Sequence, residues 1–100
     1  MTLRYAATLA EARSYLAALA DTSPFEPSVA YEHLLLYLYG MHGGLVPATF
    51  PIAGSLPELH RRPEARLEDL GDLGGDTLSL ELILARLDEI RPQAERGPPT

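Results

Sequence analysis

Tyr5, Leu9, Ala12, Leu16 and Leu19 stand 4, 3, 4 and 3 residues apart, and toward the other end of the chain Leu80, Ile83, Leu87 and Ile90 step 3, 4 and 3. An α-helix turns once in about 3.6 residues, so each set lines one helical face; a strand would alternate with a period of two. Two such seams leave a chain of 100 residues little choice. Helices must flank its middle, and each seam must find an apolar partner. The spacing predicts a first helix over 2–20 capped by Thr2, and a last helix over 77–91 capped by Asp76 or Thr77. Ala6, Ala7, Ala10, Ala17, Ala18 and Ala20 fill much of the remaining surface of the first helix. Alanine favours helix and lets a second element come close.

The middle of the chain is less regular. "SVAYEHLLLYLY", residues 28–39, predicts a second helix with Ser28 as its cap, and its apolar residues run round most of the circumference. That pattern implies a central, buried helix. "DTSPFEP" at 21–27 reads as the turn before it. "GMHGGLVPATFPIAGSLP", residues 40–57, reads as a long Gly/Pro-rich loop whose Leu45, Val46, Phe50 and Ile52 should lie across the core. "ELHRR" and "PEARLEDL" read as short helical turns, Pro63 starting the second. The proline-rich segment after Arg91 reads as a disordered tail. The expectation is an all-α fold: a small orthogonal or bundle-like domain of four to five helices over residues 1–91, a tail over 92–100, and no internal repeat.

Composition removes several function classes. Cysteine is absent, which excludes disulfides and thiolate chemistry. The longest charge-free apolar stretch, 34–56, is broken by four Gly and two Pro, so no membrane span is expected. No basic segment followed by an apolar one opens the chain, and the expected location is cytoplasmic. The formal net charge is −6, and residues 64–89 alone hold eight acids against Arg66 and Arg86. Such a patch repels phosphate backbones, so no nucleic acid is expected as a partner. It either steers a basic partner or simply faces solvent. His33, His42 and His60 are not spaced as ligands on one face, so no metal site is expected. No nucleophile, base and orienting group can be assembled, so no catalytic residue is assigned, and the chain reads as leaning away from an enzyme.

One stretch carries chemistry in its residues. In "LGGDTL", a glycine pair precedes an acid and a hydroxyl at the start of an amphipathic helix, "ELILARLDEI". Leu73, Gly74, Gly75, Asp76 and Leu78 resemble the attachment site of acyl and peptidyl carrier proteins. The resemblance implies a phosphopantetheine arm at Thr77, which stands where that family has Ser. A helix N-terminus suits a phosphodiester through its free N–H groups and dipole. The other reading is a glycine turn with Asp76 or Thr77 as a helix cap.

A second apolar stripe on the last helix, Leu78, Leu82 and Ala85, lies beside the seam that the core should use. Surplus apolar surface of this kind marks an interface. The functional expectation is a non-catalytic interaction module, an adaptor or accessory subunit, that forms a homodimer or holds a partner protein. The alternatives are the carrier role at Thr77 and a small-molecule binder that uses the 40–57 loop.

Overall fold

The protein is described by a computed structural model covering residues 2–96. Four helices follow one another: α1 (Leu3–Thr22), α2 (Phe25–Met41), α3 (Leu56–Asp72) and α4 (Thr77–Arg96), with no strand among the described residues. The expected all-α class holds.

α1 starts where the sequence says. Thr2 Oγ1 accepts the Tyr5 N–H at 3.1 Å, satisfying one of the free donors of the first turn. Leu9, Ala12, Leu16 and Leu19 are buried along it. Its hydroxyls do not oppose that burial. Thr8 and Ser14 each donate to the carbonyl one turn back, at 2.9 and 2.6 Å.

The turn expected at 21–27 shrinks to Ser23 and Pro24. α1 runs on to Thr22, and α2 begins at Phe25, so Pro27 falls in the first turn of α2. A proline there forfeits only an N–H that would be unpaired anyway. Ser28 is therefore not the cap. Its Oγ donates to Ala20 O at 2.6 Å and ties α2 to the end of α1. α2 is also not buried all round: Tyr31, Leu34 and Leu38 face the core, while Leu36, Tyr37 and Tyr39 are exposed.

The largest departure is α3. The two short turns are one helix, with Pro63 inside it. Pro63 has no N–H, so the Leu59 carbonyl loses its usual partner, at a cost of about 3 kcal/mol. Burial offsets this. Leu59, His60, Pro63, Leu67 and Leu70 are all buried, and α1 packs more extensively on α3 than on any other element. α4 likewise passes its expected end at Arg91 and continues through Pro92 to Arg96. The rest of the proline-rich tail, 97–100, lies outside the described residues.

The packing order is a ring. α1 meets α2 and α3, and α4 meets α2 and α3. α1 and α4 stand diagonally opposite and make no close backbone approach, and their seams belong to one shared core cluster. The centre carries a polar contact across the other diagonal. The Tyr31 hydroxyl of α2 is hydrogen-bonded to His60 Nε2 of α3, with the rings edge-on and both residues fully buried. Salt bridges fasten two sides of the ring. Arg66 of α3 reaches Glu11 of α1 at 3.5 Å, and Arg91 of α4 reaches Glu64 of α3 at 3.9 Å. Burial, and secondarily the charge of Asp88, raise the Glu64 pKa above its ordinary value.

Residues 42–55 join α2 to α3 without helix or strand. Phe50 N–H donates to Ser14 Oγ at 3.0 Å, and Arg13 Nη1 donates to the Pro47 carbonyl, so α1 pins this segment at two points. Val46 and Ile52 pack against the core as expected. Leu45 and Phe50 do not: they are 77% and 45% exposed.

Candidate interaction surface

The glycine pair of "LGGDTL" ends α3. Leu73 is the C-cap, Gly74 takes φ = 100°, Gly74 N–H donates to Gly71 O at 3.2 Å, and Gly75 N–H donates to Leu70 O at 2.8 Å. This crossed pair of hydrogen bonds is a Schellman cap. The same device ends α2. His42 is the C-cap, Gly43 takes φ = 63°, and Gly43 and Gly44 N–H donate to Gly40 O and Tyr39 O at 3.0 and 2.9 Å. Both caps share one pattern, G-x-x-G-G, at 40–44 and 71–75. The chain thus does hold a short internal repeat, legible in the sequence once the two glycine runs are aligned.

The two caps are linked through Tyr5. His42 Nδ1–H donates to Leu38 O at 2.7 Å, which leaves Nε2 to accept the Tyr5 hydroxyl at 2.7 Å. A Cβ added to Gly75 would lie 3.0 Å from the same hydroxyl. Burial raises the Tyr5 pKa, so the phenol stays protonated as a donor. His42 and His60 are therefore committed to structural pairs with tyrosines. His33 is exposed, and among the described residues no group of three His, Cys, Asp or Glu is placed to hold a metal ion.

Thr77 is the first residue of α4 and is exposed. It borders a groove of about 430 Å³ between α3 and α4 that also has Glu68, Asp72 and Glu81 in its walls. The neighbouring Asp76 carboxylate accepts from Ser79 Oγ at 2.8 Å. The hydroxyl is accessible, and its surroundings are negative.

Leu78, Leu82 and Ala85 stand outside the core on the outer face of α4. Leu78 is 69% exposed and Leu82 56% exposed, while the seam residues Leu80, Ile83, Leu87 and Ile90 are buried. Beside this stripe an apolar groove of about 280 Å³ opens between α2 and α4, lined by Leu34, Tyr37, Leu82, Ile83 and Arg86. Sequence reasoning missed Tyr37 and Arg86. Tyr37 belongs to a helix whose apolar pattern implies burial on every side, and no helical periodicity shows that α2 lies against α4. Arg86 is paired with Glu89 at 2.7 Å on the exposed surface. Among the described residues no helix is long and apolar enough to cross a membrane. A scan against protein-family models and searches of curated proteins and of solved structures found no match to the chain.

Proposed function

We propose that the chain is a non-catalytic interaction module that pairs with a second copy of itself through the outer face of α4 and the α2/α4 groove, in the cytoplasm. The observation that supports this reading is the contrast within α4: one stripe is buried, and Leu78 and Leu82 on the other are more than half exposed beside an apolar groove. Knob and groove occupy one patch, which is what a two-fold interface needs, since the same surface must meet itself. Antiparallel α4 helices crossing at Leu82 also bring Arg86 of one copy toward Ser79 and Asp76 of the other, by the helical wheel. That places opposite charges at the rim, where salt screens them.

The test is Leu82→Glu, followed by sedimentation. Leu82 is outside the core, so the variant keeps its helix content and the dimer dissociates, because the new carboxylate would be buried unpaired at the contact. Wild-type protein that stays monomeric at high concentration overturns the homodimer. A stable complex with a different protein, lost in the same variant, keeps the interface and changes the partner.

The carrier reading of Thr77 has less support. A phosphodiester there would face Glu68, Asp72 and Glu81, and like charges oppose it. Incubation with a pantetheinyl transferase and coenzyme A is expected to add no mass to the wild type. An adduct absent from Thr77→Ala would reinstate that reading. Binding of a small molecule by the 40–57 segment has no comparable support, since its backbone bonds to Arg13 and Ser14 tie it to α1.

A further inference from the structure

Three of the eight arginines lie within six residues of α3: Arg61, Arg62 and Arg66. Together with Glu58, Glu11 and Tyr15 they line a groove of about 640 Å³ between α3 and α1, on a protein whose net charge is −6. Their positions explain the convergence. Residues 58, 62 and 66 are four apart on α3, 61 sits one step round, and 11 and 15 are four apart on α1, so two facing helical ridges supply the walls. Ala65 between the arginines leaves the floor open.

The three guanidinium groups are not equally occupied. Arg66 is held between Glu11 at 3.5 Å and Asp69 at 3.2 Å, and fastens the two helices. Arg62 donates to the Tyr15 hydroxyl at 3.3 Å, with its guanidinium carbon 6.0 Å from that ring's centroid, a contact that leaves its charge uncompensated. Arg61 has no hydrogen bond or ion pair among the described residues. Glu58, one turn earlier, pairs with neither Arg61 nor Arg62. The groove thus presents two uncompensated planar cations beside an aromatic ring and a free carboxylate.

We propose that this groove binds a small molecule bearing an oxyanion, a phosphate monoester or a carboxylate, held by Arg61 and Arg62. Its volume is in the range of small-ligand sites, roughly 300–1,000 Å³. Guanidinium groups suit such oxyanions because their donors match both oxygens. The acidic remainder of the surface turns away extended polyanions, whose charge runs far beyond the groove. In physiological salt a screening length of about 8 Å weakens the effect of acids outside the groove on a compact anion inside it. Glu58 is available to accept from a hydroxyl or ammonium on the same ligand. The site is remote from Leu78 and Leu82 in its lining residues and does not depend on dimer formation.

Titration followed by 1H–15N correlation spectra tests the proposal, with phenyl phosphate and benzoate as probes and sodium chloride at matched ionic strength as the reference. The expected result is a saturable shift for at least one probe at Tyr15 and at residues 58–66, including the Arg61 and Arg62 side-chain N–H signals. Arg61→Gln and Arg62→Gln each weaken it about tenfold or more, the usual weight of one charge-assisted hydrogen bond. Both side chains are exposed, so an unchanged circular dichroism spectrum is expected and separates lost binding from lost fold. A response to only one probe identifies the oxyanion as phosphate or carboxylate. Shifts that sodium chloride reproduces, that do not saturate, or that persist in both variants overturn the site.

Discussion

Gly75 leaves no room for a side chain, and Gly43 does. A Cβ at Gly75 would stand 2.9 Å from the Leu70 carbonyl oxygen and 3.0 Å from both Leu80 Cδ1 and the Tyr5 hydroxyl, whereas at Gly43 nothing lies within 4 Å. Gly43→Ala therefore meets only the backbone cost of a left-handed φ, about 1–2 kcal/mol. Gly75→Ala carries no left-handed φ cost but meets an overlap with backbone that cannot move without opening the α3 cap, and overpacking of this kind costs about 1–3 kcal/mol. Urea unfolding midpoints of both variants should fall below that of the wild type, Gly43→Ala through its φ alone and Gly75→Ala through the overlap alone. Glu64 offers a test by pH. Its folded pKa is raised, mainly by burial, above the ordinary 4.5. A raised carboxyl binds its proton more tightly when folded. Its contribution to stability is therefore fully present below about pH 4.5 and is lost as pH rises through the folded value. Glu64→Gln should stabilise the protein at neutral pH, and the difference from wild type should shrink as pH falls from the raised folded value toward 4.5 and level off below it; a difference constant across that window would refute the assignment.

Among the elements, α1 and α4 were legible and α3 was not, for a physical reason. The α1 and α4 seams are uninterrupted Leu, Ile, Tyr and Ala at helical spacing. The α3 seam is Leu59, Pro63, Leu67 and Leu70, and its second member is the residue that normally stops a helix. Only tertiary packing, invisible to local propensity, makes that proline acceptable. The Leu78 and Leu82 stripe was legible because the last helix has more apolar positions than one seam uses. The groove beside it was not, because it requires knowing that α2 and α4 are neighbours. The arginine face of α3 was hidden with α3 itself. Leu35, on the helix whose pattern implies burial on every side, is only partly buried, while Leu67 of α3 is fully buried. Leu67→Ala should cost about 2–5 kcal/mol. Leu35→Ala should cost less than half as much in the same denaturant series, and equal costs would mean that α2 carries more of the core than its burial indicates.

At the scale of the molecule, the ring of helices has a simple decomposition. α1 packs on α2 and α3 on α4, and each pair is joined by a connection of only two to four residues. The remaining contacts, α1 on α3 and α2 on α4, hold the two pairs together. The chain is therefore two helical hairpins docked side by side, and residues 42–55 are the single covalent tie between them. Nothing in the docking contacts requires both hairpins to come from one chain. Fragments 1–48 and 49–100, expressed separately, should reassemble into a helical complex with native-like spectra. In the intact chain the same geometry permits two copies to exchange hairpins. An exchanged dimer would survive Leu82→Glu, whereas a dimer built on the α4 face would not, so the one variant distinguishes the two routes by which this chain could become a pair.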